Sequence, residues 1–271
     1  MAKHRIALGI SYQGQAYSGW QVQSNQSTIQ EAVETALTKF ITEPTQVVSA
    51  GRTDTGVHAI NQVVHLDTDA TRSDNSWVRG VNSFLPPDIR IKWAKEVAPD
   101  FHARFDAQAR TYVYILRNHA VQSAVLKGLV GWYHIPLSLE KMQEAAQLLL
   151  GEHDFSSFRS SECQAHSPVR TIHHLHIQKQ GNLFIFSVKG DGFLHHMVRN
   201  IVGSLVYVGK GKHEPTYMTE LLAHRQRKYA APTFMADGLY LAHIDYPKKS
   251  GINELMPEVD VADSLSYLLN A

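Results

Sequence analysis

Residues 28–41, TIQEAVETALTKFI, predict an amphipathic helix that sets the order of the elements around it. Thr28 and Glu31 have the spacing of a capping box, and the apolar residues after Thr28 recur at helical intervals. These apolar residues are Ile29, Val33, Ala36, Leu37, Phe40 and Ile41. Pro44 ends the helix, while the earlier run at residues 5–12, RIALGISY, is typical of a β-strand. The chain therefore begins with a strand followed by a helix.

Outward from this helix, the pattern completes a β-α-β-β-α-β order and then repeats it. In the first half, further strands are predicted at residues 47–50, 62–67 and 89–97, with a short helix at 77–84. In the second half, predicted strands at 111–116, 171–179, 183–189 and 238–246 accompany helices at 139–150, 194–208 and 218–224. Two such passages predict an α+β fold of two ferredoxin-like halves that share an extended antiparallel sheet.

The same pattern predicts the domain organisation. We expect an N-terminal α+β domain at residues 1–105, which carries the loop at 51–59, a C-terminal α+β domain at 106–247, and an acidic tail at 248–271. Within the tail, residues 261–269 are either a docked helix or a frayed end.

Composition and charge exclude several classes of protein. With 271 residues and 44% hydrophobic content, the chain can bury a sizeable core. Its longest apolar runs, such as residues 201–208, are far shorter than the roughly 20 residues of a membrane span, and no apolar signal core follows Met1. Cys163 is the single cysteine, which excludes an internal disulfide and the usual structural zinc spacing. We expect a soluble, cytoplasmic protein without a membrane segment.

The charge is distributed unevenly along the chain. The formal net charge is only +1, but the residues after 250 carry four carboxylates and no Lys or Arg, so the rest of the chain is more basic than the total suggests. The basic side chains of Arg225, Arg227 and Lys228 form either an RNA-binding patch or an ordinary solvated surface.

The loop at residues 51–59, GRTDTGVHA, carries the candidate chemistry. Glycines towards both ends, Gly51 and Gly56, allow backbone conformations that are closed to other residues, so the loop can bend sharply beside a ligand. Arg52 lies two positions before Asp54, and a neighbouring cation lowers the pKa of a carboxyl group. On spacing alone, an Asx-type turn capped by the arginine is the favoured interpretation of this stretch.

This loop resembles the signature G-R-T-D-x-G-V-H-A of the tRNA pseudouridine synthase A family at every fixed position. Other motifs agree in the expected order, and the resemblance covers roughly residues 4–247. These motifs are SYQG at 11–14, SGWQ at 18–21, FHAR at 101–104, ARTY at 109–112, FR at 158–159, CQ at 163–164, PVR at 168–170, GFL at 192–194, MVRNIVG at 197–203, AP at 231–232 and GL at 238–239. The resemblance implies a pseudouridine synthase fold and isomerisation of uridine at tRNA positions 38, 39 and 40, without cofactor or metal. It also implies a homodimer in which one tRNA contacts both subunits.

The resemblance assigns roles to individual residues. Asp54 is the expected nucleophile, and attack at the sugar C1′, attack at the base C6 and loss of the 2′ proton all stay open. Tyr112 would stack on an extruded uracil, with its hydroxyl placed to take the C5 proton. Arg110, Arg170 and His58 lie in matched motifs and are expected to bind substrate.

Arg199 lies near the start of the predicted helix at 194–208, where polar residues gather on an otherwise apolar helix. With His195 and His196 taken as helical, His195 and Arg199 are an i,i+4 pair, as are His196 and Asn200. We hypothesise that Arg199 pairs with Asp54 and keeps it ionised, since a buried charge needs a partner. In the alternative, Arg52 pairs with Asp54 and Arg199 binds a phosphate group.

Other classes of function have weaker support from the sequence. Sixteen histidines invite a metal hypothesis, but no H-x3-H or H-E-x-x-H spacing occurs, so no metal site is expected. Cys163 lacks a nucleophile pattern and is interpreted as incidental. A non-catalytic RNA-binding module is a second hypothesis, against which the complete Asp54 loop argues. A third hypothesis, a metal-dependent nuclease, would be distinguished by sensitivity to EDTA.

Overall fold

The computed structural model describes residues 4–256. The first half of the chain forms four strands and two helices. In order, these are β1 (His4–Tyr12), α1 (Ile29–Ile41), β2 (Val48–Ser49), β3 (His58–Thr68), α2 (Asp74–Asn82) and β4 (Ile89–Val97). The second half contains β5 (Ala109–Asn118), β6 (Gly131–Tyr133), α3 (Leu139–Gln147), β7 (Gly151–Asp154), β8 (Val169–Gln180), β9 (Leu183–Gly190), α4 (Met197–Gly209), α5 (Tyr217–His224) and β10 (Leu239–Asp245).

The described residues divide into two compact units. Unit 1 comprises residues 4–109 and 240–256, and unit 2 comprises residues 110–239. The last strand within residues 4–256 therefore belongs almost entirely to the unit that contains the first strand.

The sheet of unit 1 has β1 at its centre. β1 is antiparallel to β3 on one side and to β4 on the other. The free side of β3 is shared, because β2 pairs with it antiparallel at His65 and β10 pairs with it parallel at His58. The order β4-β1-β3-β2 is the predicted ferredoxin-like arrangement. This pairing brings the end of β1 and the start of β3 together beside the loop at residues 51–57.

The helices of unit 1 form because their apolar stripes have a core to cover. Thr28 caps α1 by accepting a hydrogen bond from the Glu31 N–H, as the predicted capping box requires. The Phe40 ring of α1 lies edge-on to Trp77 of α2, with 5.3 Å between ring centroids. This contact depends on Gly80, where a Cβ atom would lie within 2.1 Å of the Phe40 ring.

Unit 2 contains an antiparallel run of strands in the order β5-β9-β8-β7, with β6 parallel to β5. Helix α3 packs against β8 and α4. Within α4, all of which is described, every residue except Arg199 and Tyr207 is buried. These two exceptions lie eight positions apart, which is about 12 Å along the helix axis.

The predicted fold class, α+β with ferredoxin-like strand order, is confirmed, and the differences are shifted element ends and two short strands that were not predicted. The helix predicted to reach residue 150 ends at Gln147, and Gly151, at φ +91°, begins a strand that the sequence did not predict. The three-residue strand β6 was also not predicted, because it is too short to show an alternating pattern. Residues 257–271, which include the 261–269 stretch and most of the acidic tail, lie outside the described residues.

No helix within residues 4–256 combines the length and the apolar character needed to cross a membrane. The predicted domain boundaries at 105 and 247 stay a prediction.

Candidate active site

Thr53 fixes the loop that carries Asp54. The Thr53 side chain is buried, and its Oγ1 lies 2.8 Å from the Tyr12 hydroxyl at the end of β1. The Thr53 carbonyl accepts a hydrogen bond from the Trp20 N–H at 3.0 Å, and the Asp54 carbonyl accepts one from the Val57 N–H at 3.1 Å. Both main chain and side chain are therefore held immediately before Asp54, which is itself half-buried.

Two glycines shape this loop, and one of them was not predicted. Gly56 has φ +79°, as expected for a sharp bend. The expectation for Gly51 was wrong, because Gly51 is not among the positive-φ residues and a Cβ atom there would meet nothing within 4 Å. The second glycine is Gly19, at φ +86°, where a Cβ atom would lie 2.8 Å from the Thr53 carbonyl oxygen and 3.2 Å from the Asp54 carbonyl carbon. Gly19 lies in a matched motif, which is a signal in the sequence, but that motif assigned it no role.

Arg52 does not pair with Asp54 in the described part of the chain. The Arg52 side chain is exposed and has no hydrogen bond or ion pair to any residue from 4 to 256. The alternative in which Arg52 neutralises Asp54 thus lacks the ion pair between these two residues that it requires. A solvent-exposed guanidinium in this loop instead suits an anionic ligand such as phosphate.

His58 lies in the interior of unit 1 at the start of β3. It is 1% exposed, its Nδ1 accepts a hydrogen bond from the Gly14 N–H at 3.1 Å, and its ring stacks on Tyr240 with 4.6 Å between centroids. An accepting Nδ1 carries no proton, so Nε2 is the donor of this ring. These contacts tie the loop to β10, and substrate binding by His58 stays a prediction.

Three predicted substrate-binding residues of unit 2 meet at the turn after β9. Arg110 donates from Nη1 to the Asp191 carbonyl at 3.1 Å. Tyr112 lies edge-on to Phe193 at 5.2 Å, and Arg170 Nε lies 3.4 Å from the position of a Cβ atom on Gly192. All three side chains are partly exposed. The cause is strand pairing, because β5 is antiparallel to β9 with Arg110 opposite Gly190.

Arg199 lies in the first turn of α4. The helix begins at Met197, and His196, at φ +64°, is its N-cap residue, so the predicted helical pairs from His195 and His196 were wrong. Their two rings instead lie side by side before the helix, with 3.9 Å between centroids. Arg199 Nε donates to the Phe234 carbonyl at 2.8 Å, which holds the guanidinium against the segment that precedes β10.

The basic residues after α5 do not form one surface patch. Arg225 is exposed and lies 3.6 Å from Asp154 in an ion pair. Arg227 is partly buried and donates from Nη2 to Asn200 Oδ1 at 3.0 Å and to Thr233 Oγ1 at 3.1 Å. Burial lowers the pKa of Arg227 below its usual range. Of the three, Arg227 thus supports the fold, since it satisfies the fully buried Asn200.

Comparison with known proteins settles the family. A family model described as tRNA pseudouridine synthase matches residues 9–106 and 145–247. The tRNA pseudouridine synthase A of Herminiimonas arsenicoxydans is 54% identical over 253 residues, covering 92% of each chain. The protein of the same name from Methylobacillus flagellatus is 54% identical over 242 residues, covering 89% of this chain and 93% of that protein.

The chain belongs to the tRNA pseudouridine synthase A family. The predicted family and enzyme class are confirmed, and members of the family are isomerases that convert uridine to pseudouridine in tRNA. Among solved structures, a Cbf5–Nop10–Gar1 complex aligns with 74% of this chain and 54% of its own chain at 11% identity, with a TM-score of 0.32.

Proposed function

We propose that this protein isomerises uridine to pseudouridine at positions 38, 39 and 40 of the tRNA anticodon stem-loop, with Asp54 as the nucleophile and without cofactor or metal. The main support is the anchoring of the Asp54 loop. The Thr53 hydroxyl hydrogen-bonds with the Tyr12 hydroxyl, and the Thr53 carbonyl accepts a hydrogen bond from the Trp20 N–H. Gly19 packs against the backbone on either side of Asp54. A loop held this firmly fixes the backbone from which the Asp54 carboxylate extends, which suits a reaction that requires attack from one fixed direction.

The reaction needs few protein groups, which is consistent with a single carboxylate. The N1–C1′ bond breaks, the uracil turns in place, and a C5–C1′ bond forms. The C5 proton leaves and N1 takes up a proton, so the atoms of substrate and product balance. A nucleophile, a closed pocket and a group that accepts the C5 proton are sufficient.

The other residues receive roles by their chemistry. Tyr112 stacks on the extruded uracil and accepts the C5 proton, and its edge-on contact with Phe193 supports a fixed ring. Arg110 and Arg170, which share the turn at 190–193 with Tyr112, bind the phosphates that flank this base. His58 contributes to substrate binding through its position at the end of the loop.

Arg199 keeps the Asp54 carboxylate ionised in this proposal, and Arg52 binds phosphate. The guanidinium of Arg52, which is exposed and has no ion pair with any residue from 4 to 256, supports this division of roles. A carboxylate that loses its cationic partner is protonated more readily, so Arg199→Leu should lose more activity at low pH than at high pH. Equal loss at every pH would make Arg199 a phosphate or structural ligand.

The protein acts in the cytoplasm as a homodimer in which one tRNA contacts both subunits. Its N-terminal domain at residues 1–105 carries the Asp54 loop, and its C-terminal domain at 106–247 carries the residues that hold the substrate base. Within the acidic tail at 248–271, deletion of residues 251–271 should leave turnover largely intact.

The experiment that tests the function is tritium release from C5-labelled uridine in tRNA transcripts. Transcripts labelled at all uridines are compared with transcripts in which uridines 38, 39 and 40 are replaced by cytidine. We expect release from the first only, unchanged by EDTA, and none from Asp54→Asn. Asp67→Asn is the matched control, since it removes a carboxylate from unit 1 that pairs with Arg5 outside the loop. Turnover by Asp54→Asn would refute the nucleophile, and release from the substituted transcript would refute the positions.

A further inference from the structure

A cavity in unit 2 combines aromatic rings with positive charge. It has a volume of about 460 Å³, which lies within the roughly 300–1,000 Å³ typical of ligand sites. It is lined by Tyr207, Lys212, His213, Tyr217, Arg227, Lys228, Tyr229, Ala230 and Pro232. We call it the Tyr207 cavity. Tyr207 is the partly exposed residue near the C-terminal end of α4, about 12 Å along the helix axis from Arg199.

The rings of the Tyr207 cavity are arranged as stacking surfaces. His213 lies parallel to Tyr217, with 4.0 Å between centroids, and near-parallel to Tyr207 at 6.1 Å. Tyr229 borders the cavity, is 45% exposed, and stacks on His224 with 4.4 Å between ring centroids. The Tyr217 hydroxyl donates to the Tyr229 carbonyl at 2.7 Å, which fixes the two walls relative to each other. Flat, partly exposed rings of this kind stack on nucleic-acid bases.

The charges of the Tyr207 cavity are unbalanced. Lys212 Nζ lies 4.1 Å from the Tyr207 ring centroid, and Lys228 Nζ lies 4.9 Å from that of Tyr229. Neither lysine has an ion pair within residues 4–256, and the described lining contains no carboxylate. Glu220, on α5, is the acidic group that interacts electrostatically with His213 and Tyr217, but it does not line the cavity. Two exposed ammonium groups beside stacking rings match a phosphate attached to a base.

We propose that the Tyr207 cavity binds one nucleotide of the tRNA away from the uridine that reacts, with the base on the aromatic rings and the phosphate between Lys212 and Lys228. The identity of the RNA as tRNA rests on the proposed function. The cavity would thus add affinity for the whole tRNA without taking part in the chemistry.

The first test compares tRNA binding by charge-matched variants. Lys212→Gln/Lys228→Gln removes two charges from the cavity, and Lys127→Gln/Lys179→Gln removes two charges from exposed lysines of unit 2 outside it. Each phosphate contact contributes about 0.7 to 0.9 to the slope of log affinity against log salt. We expect the cavity variant to weaken binding about tenfold and, because one phosphate contact is lost, to flatten the slope by about 0.7 to 0.9, with kcat at saturating tRNA retained. An affinity and slope equal to those of the control variant would overturn the proposal.

The second test locates the contact directly. Saturating tRNA should slow acylation of Lys212 and Lys228 several-fold and leave Lys127 unchanged. Tyr229→Leu should weaken tRNA binding without changing the salt slope, because stacking releases no counterions. Absence of protection would overturn the proposal, as would equal protection by 5′-UMP alone, which would make the cavity a site for free nucleotides. Tritium release by the wild-type protein tests the proposed function separately, so the two ideas can fail independently.

Discussion

Gly19→Ala should slow the reaction by displacing the Asp54 loop, and the structure sets the size of the effect. At φ +86°, alanine costs about 1–2 kcal/mol of backbone strain. The added Cβ atom would lie 2.8 Å from the Thr53 carbonyl oxygen, whereas ordinary contact begins at 3.4 Å. The obstacle is backbone, so the loop must move by about half an ångström. Since a misplacement of 1 Å costs about 10²-fold in rate, we expect about a tenfold loss of kcat.

Gly151→Ala is the matched control for this prediction. Gly151 has φ +91°, but a Cβ atom there would meet nothing within 4 Å. Gly151→Ala should therefore lose about 1–2 kcal/mol of free energy of unfolding in urea and Gly19→Ala at least as much, while only Gly19→Ala loses rate. The assay is single-turnover tritium release at saturating tRNA, so that binding does not contribute. A wild-type rate for Gly19→Ala, or an equal loss of rate for Gly151→Ala, would refute the reasoning.

Three further predictions follow from contacts in the two units. Tyr112→Phe should keep its edge-on contact with Phe193 and its tRNA affinity but stall before release of the C5 tritium; normal release would reduce Tyr112 to a stacking surface. Arg227→Gln should lower the free energy of unfolding by about 1–3 kcal/mol in urea titrations, because the buried Asn200 Oδ1 loses its partner, and unchanged stability would contradict this structural role. Burial, with Arg5 as the next cause, lowers the pKa of His65 to about 4, so the folded ring stays neutral while the unfolded ring takes up a proton below about pH 6.5. The free energy of unfolding should therefore fall as the pH is lowered from 6.5 towards 4, and an equal fall in His65→Gln would assign the effect to another group.

The sequence predicted the elements whose causes are local. The apolar stripe and cap of α1 and the strands β8 and β9 all depend on residues close together in the chain. Predictions failed where contacts with distant parts of the chain decide the local conformation. The start of α4 was placed too early because His196 adopts φ +64°, a conformation that an apolar pattern cannot show.

In the candidate site, too, features with local causes were predicted and features that depend on distant residues were not. The Asp54 loop was recognised as a motif, but its anchoring by Tyr12 joins residues 41 positions apart. Gly51 was assigned a special conformation that belongs instead to Gly19, because both are glycines in matched motifs and only the fold shows which one meets backbone. Arg227 was grouped with its basic neighbours because sequence adjacency does not reveal a partner 27 positions away.

The pairing of β10 with β3 has a consequence for synthesis of the chain on the ribosome. Tyr240 stacks on His58, and the Ala242 carbonyl accepts from Asn61 Nδ2 at 2.8 Å, so the strand that follows the Asp54 loop is completed by residues made roughly 130 positions after unit 1 is otherwise finished. At about 5–20 residues per second, that interval lasts about 7–26 s. For this time the part of the β3 edge around His58 lacks its neighbour, since β2 pairs with β3 further along at His65, and this part is open to pairing with other nascent chains. A chain that stops before Tyr240 would therefore lack the strand that completes the sheet beside the Asp54 loop.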